Sequence, residues 1–404
     1  MNSISETQDL ILQHTEVLGL EFIPLLRGLG RVLGETVIAP WDMPFADNSA
    51  MDGYAFSHEA LESNYLQVTG FLPAGMERTV PVLPGEAIRI MTGAIIPPGC
   101  DTVIPLEEVE SDGAGIRLRG RVKPGSHIRR KAENLKSGDH VLSAGSRLLP
   151  GEIGMLASLG RTTVSVHRVP NIAIIATGDE LVEPGTAPSA AKRVNSNTYS
   201  LAAQVIEAGA NPVVLGIARD TKKSTMAKIL AGLDADIIIT SGGVSVGEKD
   251  YVKEVIEELG GEILLWKVNM KPGKPFAFAL LKGKPVYALP GNPVAAMMTF
   301  ELFVRPAILK MTGRQRIFRP VVKATVTKEL KNKGDRPHLV LSSISLMDGQ
   351  YYVTTTADQN SANLSIMSQN NCFIQLAPGE SILPGSLADV TVFNREFEMR
   401  VLCQ

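Results

Sequence analysis

The sequence is short of most features that settle a protein's class at a glance. Cysteine occurs only three times, at Cys100, Cys372 and Cys403, with no CxxC spacing. That odd, scattered set argues against a disulfide framework or a structural zinc site, and it favours a reducing compartment. Aromatic residues make up 5% of the chain, too few for a base-stacking platform. Neither charge sign dominates: 40 Lys and Arg stand against 42 Asp and Glu, a net charge of -2. A nucleic-acid binder held by bulk positive charge is thereby excluded. Long apolar runs are missing too. The most apolar stretch, Val294 to Met311, is broken by Glu301, Arg305, Pro306 and Lys310, so no membrane span is expected. The opening MNSISETQDL carries Glu6 and Asp9 and no basic segment, unlike a signal peptide. A cytoplasmic location is the expectation.

What is present is enough for several cores. The chain has 404 residues, 44% of them hydrophobic, which at roughly 150 residues per domain suggests two to four domains. Residues 1–42 carry a helical pattern through Ile11, Leu18, Leu20, Ile23, Leu25, Leu26, Leu29 and Leu33, interrupted by Gly28, Gly30 and Gly34. Residues 43–138 hold short β-type runs among Pro and Gly and read as an inserted β-rich module. Residues 139–169 rejoin the first segment, giving an elongated, discontinuous N-terminal domain.

From 170 to 313 the texture is α/β. Strands are expected at Ile172–Ala176, Pro212–Ile217, Ala235–Thr240, Phe276–Leu281 and Pro285–Leu289. Helices are expected at Asn195–Ala208 with Ala202, Val205 and Ile206 inward, from Thr221 or Ser224 to Leu233, at Asp250–Leu259, and at Ala295–Met311. Continuous apolar strands alternating with helices imply a doubly wound sheet covered on both faces. Residues 314–404 switch to period two and read as a β-barrel or sandwich, with a hairpin turning at Asp348-Gly349.

In an open α/β sheet, ligands bind beyond the carboxyl ends of the strands. Those ends deliver Thr177-Gly178-Asp179-Glu180, then Arg219-Asp220, then Ser241-Gly242-Gly243 through Gly247 with Asp250, then Pro290-Gly291-Asn292-Pro293. Glycines and small hydroxyls suit a phosphate approached by backbone N–H groups. Glu180, Asp220 and Asp250 suit Mg²⁺ beside that phosphate. Lys271 and Lys274 flank a stiff turn fit for an oxyanion. Each piece also has a bland reading: a tight βα turn, a solvated loop charge, a helix cap at Asp220, a dipole charge at Asp250, a rigid stop at the prolines, an exposed lysine turn. The convergence of four strand ends is what favours a site. No Walker A loop, no dinucleotide fingerprint and no metal-type histidine spacing is present. In the N-terminal half, Asp47-Asn48-Ser49-Ala50-Met51-Asp52-Gly53-Tyr54-Ala55 is a second dense polar cluster. Arg89 to Ala94, containing Thr92, and the basic run Arg129-Arg130-Lys131 accompany it.

These segments, with Thr177–Leu181, Ser241–Tyr251, Lys271–Phe276 and Leu289–Pro293, resemble the MoeA family of molybdopterin molybdenumtransferases, which includes the gephyrin E domain. The resemblance runs in order over nearly the whole chain. It implies a central α/β domain like that of the adenylyltransferases, the inserted β-rich module and a C-terminal β-barrel. It implies insertion of molybdenum from molybdate into adenylylated molybdopterin, with Mg²⁺-dependent release of AMP. Asp52, Thr92, Glu180, Asp220, Asp250, Pro290 and Pro293 match the family's functional positions, Lys271 and Lys274 its basic loop, and Ser241, Gly242 and Gly243 its substrate loop. A homodimer with active sites shared between subunits is implied, with the adenylyltransferase and molybdoenzyme acceptors as further partners. Asp335-Arg336-Pro337-His338 and Gln359-Asn360-Ser361-Ala362 depart from the family pattern, so the resemblance assigns the C-terminal domain no role. Two alternatives stand beside this reading: a scaffold or binding module of the gephyrin type, and the preceding adenylyltransferase.

Overall fold

A computed structural model describes residues 1–187, 189–244 and 251–399. Asp250, residues 245–249 and Cys403 lie outside the described residues. The chain divides into a larger unit, residues 1–23, 27–34 and 165–404, and a smaller one, residues 24–26 and 35–164. No helix among the described residues is long and apolar enough to cross a membrane.

The chain opens with α1 (Ile4–Gln13), started by a capping box. The Glu6 amide donates to Ser3 Oγ, and the Ser3 amide donates to the Glu6 carboxylate at 2.7 Å. The helical expectation stops there: Leu20–Pro24 is a strand with alternating exposure. Leu20, Phe22 and Pro24 are exposed and Glu21 and Ile23 half-buried, the period-two pattern of a strand in place of a helical one.

The smaller unit contains a six-stranded sheet built from β1 (Gly53–Phe56), β2 (Tyr65–Leu72), β3 (Glu86–Ile90), β4 (Thr102–Pro105), β5 (Val109–Ser111) and β6 (Gly115–Leu118). Their order is β4-β1-β3-β2-β6-β5. Successive side chains point to opposite faces, and both faces are buried. Tyr54, Phe56, Leu66 and Ile104 fill one core, and Ala55, Leu72, Ile88 and Val103 the other. The helix α2 (Pro150–Ser158) follows, with proline in its first turn.

In the larger unit the alternation gives β7 (Asn171–Thr177), α3 (Asn197–Glu207), β8 (Asn211–Ala218), α4 (Lys222–Ala231), β9 (Ile237–Ser241), α5 (Tyr251–Glu258), β10 (Glu262–Trp266), β11 (Ala277–Leu281) and β12 (Lys284–Leu289). The sheet order is β8-β7-β9-β12-β11-β10. The first four strands are parallel, β11 pairs antiparallel with β12, and β10 pairs antiparallel with β11. Strand β10, which no sequence signal marked, hides in the apolar stretch after Gly260-Gly261. Both faces are covered: Ile172, Ile174, Ile237 and Ile239 pack on one side, Ala173, Ile175 and Ile238 on the other. On α3, Leu201 and Val205 are fully buried but Ile206 is 63% exposed, so the expected inward face is rotated.

The long buried helix expected near 300 is α6 (Pro293–Thr299), a π-type turn (Phe300–Val304) and α7 (Arg305–Met311). Pro306 has no N–H for the carbonyl of Leu302, and Gln8 Nε2 from α1 donates to that carbonyl at 3.0 Å instead. Five strands of the C-terminal segment, β13 (Val321–Val326), β14 (His338–Met347), β15 (Gln350–Thr355), β16 (Cys372–Leu376) and β17 (Leu387–Val392), close a barrel in the order β13-β15-β14-β16-β17. Asp348 and Gly349 both have positive φ in the two-residue turn between β14 and β15, the geometry that matches the strands' twist.

Candidate active site

The four parallel strands end level with one another. Thr177 pairs with Ala218, Ala176 with Ser241, and Ser241 with Leu289. The chain runs from β7 to β8 on one side and then to β9 on the other, so the topological switch lies at β7. A cavity of about 640 Å³ opens there, lined by Glu180, Asp220, Ser241–Gly243, Lys271, Lys274, Pro290 and Pro293 among others. Glu180, Asp220, the Ser-Gly-Gly loop, both lysines and both prolines therefore reach one concavity within the larger unit, while Asp179 and Arg219 from the same strand ends do not line it.

The loop after β9 is held open by small atoms. Gly242 has φ +93° and Gly243 φ +70°, and a Cβ at Gly242 would lie 2.6 Å from Thr177 Oγ1. Side chains other than glycine would strain the backbone and collide with Thr177 and Val252. Ser241 is nearly buried, and its Oγ accepts a hydrogen bond from Asn197 Nδ2 at 2.8 Å. The same Nδ2 donates to the carbonyl of Gly291 at 2.8 Å. Asn197, at the start of α3, thus ties the Ser-Gly-Gly loop to the Pro-Gly-Asn-Pro loop.

Asp220 is not the cap of α4. Thr221 is, accepting from the Ser224 amide at 3.2 Å. Asp220 instead exchanges backbone-to-carboxylate hydrogen bonds with Asp179, both at 3.2 Å, which fixes the two loops after β7 and β8 against each other. Among the described residues no group of three His, Cys, Asp or Glu could hold a metal. Glu180 and Asp220 supply two carboxylates to the cavity, and Mg²⁺ takes only one or two together with water and substrate phosphate. The donor set fits that ion.

The lysine loop is anchored by the barrel. The Lys271 amide donates to the Pro337 carbonyl at 2.8 Å, and the Leu339 amide to the Lys271 carbonyl at 2.7 Å. Arg336, His338, Gln359 and Ser361 also line the cavity. Asn292 Nδ2 donates to Ser361 Oγ at 3.1 Å, joining the barrel turn to the loop before α6. The segments Asp335–His338 and Gln359–Ala362, to which the family resemblance gave no role, thus reach the cavity, as do Asn195 and Asn197, which no motif marked. A signal for the asparagines in the sequence is the polar triplet Asn195-Ser196-Asn197 at the start of an amphipathic helix.

Asp52 and Thr92 lie in the smaller unit. One Asp52 carboxylate oxygen accepts from both the amide and the hydroxyl of Thr92, each at 2.7 Å. The Thr92 hydroxyl, then its amide, hold the Asp52 carboxyl below the usual carboxylate range, with Arg89 adding to the effect. Gly53 follows because a Cβ there would meet the Ile104 carbonyl oxygen at 2.0 Å. The neighbouring Asp47 accepts from Arg130 Nη1 and the Lys131 amide, both at 2.7 Å. Two residues of the basic run are thus spent on ion pairs, Arg130 with Asp47 and Lys131 with Asp42.

Three family matches cover successive regions of the chain. Residues 2–160 match the MoeA N-terminal region (domain I and II), residues 173–310 a probable molybdopterin binding domain, and residues 323–393 the MoeA C-terminal region (domain IV). A molybdopterin molybdenumtransferase of Nostoc sp. is 36% identical, covering 98% of this chain and 94% of its own. Another from Haemophilus influenzae is 36% identical over 93% of this chain and 94% of its own. The crystal structure of a molybdopterin biosynthesis moea protein from Pyrococcus horikosii matches with a TM-score of 0.83 at 29% identity, covering 97% of this chain and 99% of that one. The chain belongs to the MoeA family, enzymes of molybdenum cofactor biosynthesis.

Proposed function

We propose that the enzyme transfers molybdenum from molybdate into adenylylated molybdopterin and releases AMP in a Mg²⁺-dependent reaction. The observation that carries this reading is one cavity at the sheet's switch point, lined together by phosphate-type glycines, carboxylates and lysines. The amides of Ser241-Gly242-Gly243 bind the phosphate, and Asn197 holds that loop in register with Pro290–Pro293. Lys271 and Lys274 attract the molybdate dianion, a role that point cations on a fixed turn perform well. Glu180 and Asp220, with Asp250 as a third candidate, hold the divalent ion. When bound, Mg²⁺ supplies charge neutralisation at the phosphoryl group being cleaved.

Asp52 and Thr92 complete the site of a second copy, making the functional unit a homodimer. This rests on the family resemblance and on their place in a different unit from the cavity. The four-part division at 1–42 with 139–169, 43–138, 170–313 and 314–404 belongs to the same proposal.

The test is AMP release from adenylylated molybdopterin. The enzyme is expected to release AMP when molybdate and Mg²⁺ are both present. A chain that binds the pterin and releases no AMP is a scaffold. One that instead forms the adenylylated pterin from molybdopterin and ATP is an adenylyltransferase. Either outcome removes the proposal.

A further inference from the structure

His338 stands at the start of β14, and Lys271 bridges to it in a parallel pair. Two backbone hydrogen bonds lace the segments together, Lys271 N–H to Pro337 O at 2.8 Å and Leu339 N–H to Lys271 O at 2.7 Å. Directly paired residues send their side chains to the same side of a ladder. Both residues line the cavity. The imidazole is half-buried, and its nitrogens have no hydrogen-bond partner among the described residues. We propose that His338 is an oxyanion-binding residue that takes a proton from solvent when the dianionic substrate binds beside Lys271 and Lys274, an inference that rests on the oxyanion reading above.

The charges that share the cavity with the ring explain why a dianion should change its state. Lys271 and Lys274 come from the lysine loop and Arg336 from the segment before β14. On β16 the residue opposite is Leu376, which is buried and apolar. The turn 356–363 brings neutral Gln359 and Ser361, while Asp358 is occupied by Asn363 Nδ2 at 2.8 Å and the Asn360 amide at 2.9 Å. Glu180 and Asp220 belong to the same cavity but hang from β7 and β8. Burial first, and then Lys271, push the His338 ring below the usual histidine range. The ring is therefore neutral in the empty site at neutral pH. A dianion placed among these cations offsets most of their charge and raises the ring's affinity for a proton. The imidazole then becomes imidazolium and donates to the anion, and the proton returns to solvent when the anion leaves. Histidine is the side chain whose charge changes in this range, and a lysine in its place would stay charged throughout.

Isothermal titration of molybdate into the full chain from about pH 6 to about pH 8, in buffers of different ionisation enthalpy, reads the coupling directly. Wild-type protein is expected to take up protons on binding and to lose affinity as pH rises, by up to about tenfold per pH unit. His338→Gln and His338→Phe, checked for unchanged thermal unfolding, are expected to lose the proton uptake and to bind with a flat pH profile. Variants that keep both the uptake and the slope overturn the proposal. So does wild-type binding without proton uptake, which leaves the oxyanion reading standing if Lys271→Ala with Lys274→Ala abolishes binding. If that double variant binds molybdate as wild type does, the oxyanion reading itself fails and the proposal falls with it.

Discussion

Asp52 shows how one side chain's chemistry depends on a single neighbour. Its carboxylate oxygen takes two hydrogen bonds from Thr92, and both favour the ionised form. Thr92→Val removes the hydroxyl and keeps the shape. The Asp52 carboxyl is then expected to titrate higher, back toward the ordinary range, as read by NMR of the side-chain carboxyl; an unmoved titration would mean that the hydroxyl does not tune it. The sign matters for stability as well. A carboxyl depressed in the fold contributes stability above its unfolded pKa, and that contribution is lost as pH falls through the folded pKa. Individual residues were legible where their chemistry is local. Ser241-Gly242-Gly243, Asp220 and the lysine pair stand out from the sequence because they follow apolar strands or flank a proline turn. Whether Asp220 or Thr221 caps α4 was not legible, since both are cap-forming types and only the Thr221–Ser224 bond decides it. His338 and Ser361 sit in segments that departed from the family pattern, and their place could not be read from the sequence because they reach the cavity only where the barrel packs against the lysine and Pro-Gly-Asn-Pro loops.

At the scale of elements, strand period carried most of the information. β7, β9 and β12 are nearly pure apolar runs and were readable as buried parallel strands. β10 was not, because its five residues follow a helix stop and resemble a helix fragment as much as a strand. The first forty residues misled for the same reason, a short mixture of periods. The helix through Phe300 shows a local rule broken and compensated. Pro306 leaves the Leu302 carbonyl without its helical donor, and Gln8 on α1 supplies one across 294 residues of sequence. Gln8→Ala is expected to destabilise by about 1 kcal/mol, the net worth of one such hydrogen bond. Thermal unfolding of the variant checks this, and an unchanged midpoint would show that the π-type turn satisfies that carbonyl by itself.

At the scale of the whole molecule, the cavity and the Asp52–Thr92 pair lie in different units of the chain, and the homodimer proposal gives each copy one of each. Mixing Asp52→Ala chains with Asp220→Ala chains tests it. Each variant alone is expected to be inactive. In the mixed dimer one site has both residues intact if sites are shared, so activity should return. Purified mixed dimers without activity, when wild-type dimers survive the same mixing, would rule sharing out. The chemistry itself is tested most directly by counting products in a single turnover of adenylylated molybdopterin with molybdate and Mg²⁺. Molybdenum bound to the pterin and AMP released should appear in equal amounts, and omitting molybdate should stop both. AMP released at full rate while the pterin stays free of molybdenum would contradict the assignment, because the cavity would then be a hydrolase site and not a site of metal insertion.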